Sequence, residues 1–186
     1  MDSRVYFSRE EMFRMNRDRL LERGVTIQEI AEIAYNQQAK YNKNLTMSVC
    51  VESVEKILSY RDIFHIVQLS IELDRLAEEK KLRSPMQEII LSDFGMFGID
   101  ELLGLSIAAN YGVIGQTNFG DIDVNKPGAV KRLNEEGKKQ VKCHTFLDDV
   151  VGAVAAAAST RVAQIISEEE AKKDPRFTPI QLDLDE

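Results

Sequence analysis

The stretch that decides the fold is TFLDDVVGAVAAAASTRVAQIISEE, residues 145–169. From Val150 to Ser159 it carries no charge on any side. A helix that is apolar all round belongs in the middle of a bundle, because no face of it gains from water. The uncharged run is about ten residues, against about twenty for a membrane crossing, so the expectation is a core helix and not a span. Thr145 stands where an N-cap would open the helix, which should run from Phe146 to about Glu170. The anomaly is at its mouth, where two adjacent acids, Asp148 and Asp149, precede the apolar run.

Working outward, the pattern is helical nearly everywhere. Ser8 with Glu11 and Thr26 with Glu29 read as capping boxes, and Gly24 as the stop between the helices they open. Thr46 starts a third helix. RDIFHIVQLSIELDRLAEEKKL, from residue 61, makes a longer fourth, and Ser84-Pro85 opens a fifth. Residues 111–128, YGVIGQTNFGDIDVNKPG, are glycine-rich without sustained period and read as a loop holding a short helical piece. Pro127 then opens a brief helix that Gly137 ends. No segment alternates like a strand before a hairpin turn. The predicted fold is all-α, a compact bundle of six to seven helices around a central apolar helix near residues 146–170. Residues 1–172 read as a single helical domain, with its chemistry-bearing motifs in 95–165, and 173–186 as a loose tail.

The bulk composition limits function. Acids outnumber bases, 31 to 24, for a formal net charge of −7. That excludes nucleic acid as a main partner and disfavours unaided docking on anionic lipid. Cys50, Cys143, His65 and His144 are too few and too scattered for a disulfide framework or a zinc site. The cysteines read as buried thiols, His65 as a core or interface residue, and His144 as a capping or surface residue. With no signal-type segment or span in the sequence, the expected location is cytoplasmic, peripheral at the membrane if the substrate is a lipid. The fourth helix looks apolar on more than one side, so a homo-oligomer, a dimer above all, is expected.

A second stretch rhymes with the first. GIDELLGLSIAA, residues 98–109, again sets two acids before an apolar pair and a glycine. Residues four apart share a helix face, so Asp100 lies on the side of Gly104 and Asp148 on the side of Gly152. If the two helices pack at those glycines, Asp100, Glu101, Asp148 and Asp149 come to one place. Four carboxylates in a dry place need protons or a cation, and oxygen-only donors favour Mg²⁺ or Mn²⁺. The simpler reading is that acids in a first turn favour the helix dipole, by about 0.3–1 kcal/mol, and that Asp148 occupies a capping-box position. Between the two stretches, GDIDVNKPG adds Asp121, Asp123, Asn125 and Lys126. A lysine beside a carboxylate cluster suits a phosphate ligand.

These residues resemble the phosphatidylglycerophosphatase A family. GIDELLG, DVNKP at Asp123 to Pro127, and LDDVVGAVAAA follow that family's motifs in order, and the likeness covers about residues 95–165. It is strongest to the soluble, YutG-like branch, whose domains include those named low temperature requirement C protein. The resemblance implies a Mg²⁺-dependent phosphomonoesterase, with Mn²⁺ as a substitute. Its substrate would be phosphatidylglycerophosphate, a lipid head group phosphate, and its products phosphatidylglycerol and phosphate. Carried over by position, the metal-binding and catalytic acids fall on Asp100, Glu101, Asp123, Asp148 and Asp149, with Lys126 beside them as a catalytic cation. The chain lacks the transmembrane helices and the Pro-Gly-Thr-x-Gly-Ser motif of the membrane-bound members. The competing expectation is therefore a non-catalytic helical module that kept the acids for a structural ion or a partner.

Overall fold

A computed structural model describes residues 6–93 and 98–177. Gly95, in the glycine punctuation before the first acid pair, and residues 178–186 of the expected tail lie outside the described residues. Among the described residues the chain is all helix and turn, with no strand. The helices are α1 (Arg9–Glu22), α2 (Ile27–Gln38), α3 (Met47–Leu58), α4 (Arg61–Glu78), α5 (Met86–Leu91), α6 (Ile99–Ala109), α7 (Gly112–Asn125), α8 (Ala129–Lys138) and α9 (Leu147–Lys173).

Helix α9 is the axis. Every residue from Leu147 to Thr160 is buried, and α2, α3, α4, α6, α7 and α8 all pack on it. The reason is in its composition. Five alanines, Ala153 and Ala155 to Ala158, leave narrow flanks that neighbouring helices can approach on all sides. Leu147, Val150, Val151 and Val154 fill the gaps, and burying each such side chain contributes about 1.5–3 kcal/mol. Charge returns at Arg161, and past Val162 the helix emerges into solvent. By length and composition α9 could cross a bilayer, which the count of its uncharged run alone did not suggest; 67% of its most apolar window is buried inside the protein.

The capping signals at the N-terminus hold. Ser8 Oγ accepts from Glu11 N at 3.2 Å and Glu11 Oε2 in turn accepts from Ser8 N at 2.8 Å; Thr26 and Glu29 do the same. Each such cap stabilises its helix by about 0.5–2 kcal/mol. Elsewhere the details differ. Residues 112–125 are a full helix, not a loop with a short piece. Its buried residues, Gly115, Phe119 and Ile122, do follow helical spacing, but only two of them are large, so the period is faint. Gly115 is needed there because a Cβ would lie 2.2 Å from the carbonyl oxygen of Ala108, where α6 and α7 meet. At α5, Pro85 is itself the N-cap, and α8 runs through Gly137 to Lys138. His65 is exposed and leans on the ring of Phe64, so it is not a core residue. Cys50 and Cys143 are free and buried.

Candidate functional site

Three helices meet at the acids. Helix α6 places Asp100 and Glu101 in its first turn, directly after Gly98, whose φ of 76° is a left-handed turn into the helix. Helix α9 does the same with Asp148 and Asp149. Helix α7 arrives from the other direction and ends beside them. Its C-cap, Lys126, adopts φ 44° and ψ 60°, and its N–H donates to Ile122 O at 2.7 Å. Pro127 cannot continue the helix, so the chain turns at Lys126. The Lys126 ammonium then donates to Asp123 Oδ1 at 2.7 Å and to Asp148 Oδ2 at 3.3 Å, and lies 3.7 Å from Asp149 Oδ1. The structure thus brings all six sequence-predicted residues together. Asp121 and Asn125 stay out of the cluster: Asn125 Nδ2 bonds back to Asp121 Oδ1 and to its carbonyl, each at 2.9 Å.

One carboxylate oxygen each from Asp100, Glu101 and Asp149 lie within 4.8 Å of one another. Asp100 and Asp149 are buried and Glu101 is exposed, so the group opens to solvent on one side. Asp100 Oδ1 is buried and has no hydrogen-bond partner. Such an atom costs about 1–3 kcal/mol or more when charged, and a cation would supply the missing partner. The donors are all hard oxygens, which fits Mg²⁺ or Mn²⁺ and not zinc. The cluster therefore has the ligands for a metal ion.

The electrostatics agree with a site built for more positive charge than Lys126 alone supplies. Burial first, then Glu101 beside it, raises the pKa of Asp100 well above the usual carboxylate range. Burial first, then Asp148, does the same at Asp149, and Lys126 only partly offsets this. Asp148 is raised by burial and pulled back by Lys126, with Asp93 adding repulsion. Burial works against the charge on Lys126, but Asp148, Asp123 and Asp149 outweigh it, so its pKa is raised and the ammonium persists.

The glycines act differently from the sequence expectation. Gly104 does meet α9: a Cβ there would sit 3.2 Å from Asp149 O. Gly152 does not meet α6; its Cβ position faces Ile122 Cγ2 at 3.1 Å and Val130 Cγ2 at 3.7 Å, on α7 and α8. What the two glycines share is Phe119. Its ring would lie 2.7 Å from a Cβ at Gly104 and 3.7 Å from one at Gly152. Two side chains are missing so that one ring can key α7 into the α6–α9 junction, which is what draws Lys126 to the acids.

Thr145 does not cap α9. Its Oγ1 donates to Ile90 O at 2.6 Å, and Phe146 is the N-cap. The cap comes from another helix: Asp74 of α4 accepts from Phe146 N at 3.1 Å and Leu147 N at 3.0 Å. Asp148, freed from any capping-box role, faces Lys126. Asp74 is fully buried, and burial above all pushes its carboxyl up to about 8, with the two amides and Arg23 opposing. Sequence reasoning missed Asp74, although a signal existed. It falls on the buried stripe Ile63, Val67, Ser70, Ile71, Asp74, Ala77, where a charged residue requires a partner. His144 is also buried, not at the surface, and bonds Glu136 Oε2 at 3.1 Å while Arg23 lies 3.4 Å from its Nδ1. Arg23 further ties Cys143 O at 2.6 Å and Glu78, clamping the approach to α9.

The sequence matches the family described as Phosphatidylglycerophosphatase A over residues 26–164. It is 45% identical over 173 residues to the uncharacterized protein YpjQ of Bacillus subtilis (strain 168), covering 91% of this chain and 96% of that one. With YutG of the same organism it shares 48% identity over 147 residues, 79% of this chain and 87% of that one. Its fold superposes on the crystal structure of the low temperature requirement C protein from Listeria monocytogenes with a TM-score of 0.80 at 44% identity, covering 84% of this chain and 97% of that one. With three ordered acid motifs meeting in one cluster and the match spanning most of its length, the chain belongs to the phosphatidylglycerophosphatase A family.

Proposed function

We propose that the protein is a Mg²⁺-dependent phosphomonoesterase acting on phosphatidylglycerophosphate. The observation that carries this reading is the buried, unpartnered Asp100 Oδ1 within a carboxylate trio, beside a lysine that contacts one member of the trio, Asp149, and two further carboxylates, Asp123 and Asp148. Asp100, Glu101 and Asp149 would hold the metal, with Asp123 and Asp148 near it. Bound Mg²⁺ would polarise the phosphoryl group and lower the pKa of a water. The chain's own part is positional and electrostatic. Asp123 and Asp148 fix the Lys126 ammonium by hydrogen bonds, so it can neutralise charge gathering on the phosphoryl oxygens. Asp74 holds the first turn of α9, and so Asp148 and Asp149, at a set depth. Glu101, the exposed member, is the side from which a substrate phosphate would enter.

A lipid substrate is favoured by the neighbours of these acids. Ile99, Leu102 and Val124, adjacent in sequence to Asp100, Glu101 and Asp123, are 47%, 58% and 81% exposed. Exposed apolar side chains grouped on the same two helices fit acyl chains better than they fit water. The test is phosphate release with Mg²⁺ from phosphatidylglycerophosphate in mixed micelles, beside a soluble phosphomonoester such as glycerol 3-phosphate. Wild type should prefer the lipid, and Asp100→Asn and Asp149→Asn should each lose at least a hundredfold. Equal, slow release by all three proteins would reject the enzyme and leave a non-catalytic module. Faster release from glycerol 3-phosphate would reject the lipid.

A further inference from the structure

At the far end of α6 from the acids lies an open groove of about 470 Å³, lined by Arg9, Tyr60, Arg61, Asp62, Asn110 and Tyr111. Asp100 and Tyr111 are separated by the length of α6, about 16 Å at 1.5 Å per residue. The groove's volume is in the range of small-molecule sites. Its lining is out of character for this chain. The protein carries a net charge of −7, yet cations gather here around two tyrosines. Arg9 stands 5.7 Å and Lys56 5.9 Å from the centre of the Tyr60 ring. Arg161 works by its charge to lower the pKa of Tyr111 and is anchored by a 2.8 Å bond to Ser53 Oγ.

Among the described residues, neither Arg9 nor Arg61 forms an ion pair. Asp62 is the one acid in the lining. Of the nine other described arginines six find a carboxylate, and two that share a groove and lack one leave positive charge there to be met from outside. Burial first, then Tyr60, pushes the Tyr111 phenol up to about 12, so it keeps its proton and can donate to an anion at neutral pH. The wall formed by Arg61 to Ile63 is the first turn of α4, whose N-cap, Tyr60, makes no side-chain cap bond. That turn adds the positive end of a helix dipole to the side-chain charges.

We propose that this groove binds a phosphate-bearing anion at a site separate from the acidic cluster. Guanidinium groups supply forked donors for phosphate oxygens, and the tyrosines supply a hydroxyl and an apolar floor. Inorganic phosphate is the probe. It would be titrated into ¹⁵N-labelled protein in the presence of a chelator, so that no metal recruits phosphate to the acids. The expected result is saturable shifts of the Arg61, Asp62, Ile63 and Tyr111 amides, unchanged in Asp149→Asn and at least tenfold weaker in an Arg9→Ala/Arg61→Ala double variant. Both arginines are exposed, so the double variant should keep the wild-type melting temperature. Absent or non-saturating shifts, or shifts indifferent to the double substitution, overturn the proposal. A parallel sedimentation with phosphatidylglycerol vesicles separates the sources. Binding lost in the double variant assigns a lipid head group; no binding, with phosphate titration intact, assigns a soluble phosphate.

Discussion

Gly104→Ala tests the packing that brings the acids together. Added at this position, a Cβ would lie 2.7 Å from Phe119 Cζ, 3.3 Å from Phe119 Cε2 and 3.2 Å from Asp149 O. The first distance is too short to stand, so something must move. The Phe119 ring is buried, and even a Cβ at Gly152 on α9 would lie only 3.7 Å from it, so the ring is enclosed between two helices and has little room to retreat. Overpacking of this kind costs about 1–3 kcal/mol. Alanine is also a better helix former than glycine, by about 1 kcal/mol, which offsets part of that. With the ring confined, the upper half of the overpacking range applies, about 2–3 kcal/mol, and the net should be a loss of about 1–2 kcal/mol. For a chain of this size that is a fall of roughly 2–8 °C in melting temperature. Gly120→Ala is the internal control. It is in α7, and a Cβ there meets nothing within 4 Å, so only the propensity term acts and the protein should gain about 0.5–1 kcal/mol. Thermal and urea unfolding of both variants read the difference. Mg²⁺-dependent phosphate release by Gly104→Ala, assayed below its melting temperature, should fall further than its stability does, because the displaced backbone is that of Asp149. The reasoning is refuted if both substitutions shift the melting temperature in the same direction.

Three further outcomes follow from the geometry. Asp74→Ala leaves two buried N–H groups, of Phe146 and Leu147, without acceptors, and should cost about 2–4 kcal/mol in urea unfolding at pH 6; a loss below 0.5 kcal/mol would mean that α9 is capped otherwise. Lys126→Met removes the cation from among Asp123, Asp148 and Asp149, and should destabilise the metal-free protein by about 1.5–3 kcal/mol; added Mg²⁺ should restore part of this, and no loss at all would argue that the carboxylates do not depend on it. The third concerns pH. Asp74, Asp100 and Asp149 have pKa values raised above those of unfolded carboxyls, so their contribution is complete below about pH 4 and is lost as pH rises through the folded values, about 8 for Asp74. In chelator, then, these groups make stability fall between about pH 4 and 9, the upper limit set by Asp149. Mg²⁺ binds the ionised form, so the increase in melting temperature it causes should grow with pH over the same window; an increase that is flat or shrinks would contradict this.

The sequence made the architecture readable where a single period dominated. The uncharged alanine and valine run from Val150 to Ser159 could only be central, and it is buried throughout. The capping boxes at Ser8 and Thr26 were legible because both partners lie three residues apart. Helix α7 was obscured because its contacts use glycine at 115, which carries no hydrophobic signal. Its assembly rests on one ring, Phe119, whose two empty neighbours are 15 residues before it and 33 after. The cap of α9 was misassigned to Thr145 for a related reason. A local serine or threonine is visible from spacing, whereas an acceptor 72 residues away in Asp74 is visible only as a charge out of place on an apolar stripe. The convergence of Asp100, Glu101, Asp123, Lys126, Asp148 and Asp149 was anticipated from repetition and family motifs. The left-handed turn at Lys126 that completes it leaves no mark in composition.

The most direct measurement is a crystal structure of the protein soaked in Mn²⁺, located by its anomalous signal. The account predicts an ion at oxygen-ligand distance, about 2.1 Å, from carboxylates of Asp100, Glu101 and Asp149, with Asp100 Oδ1 among its ligands. An empty cluster at saturating Mn²⁺, or an ion bound elsewhere while Asp100 Oδ1 stays unpartnered, would contradict it.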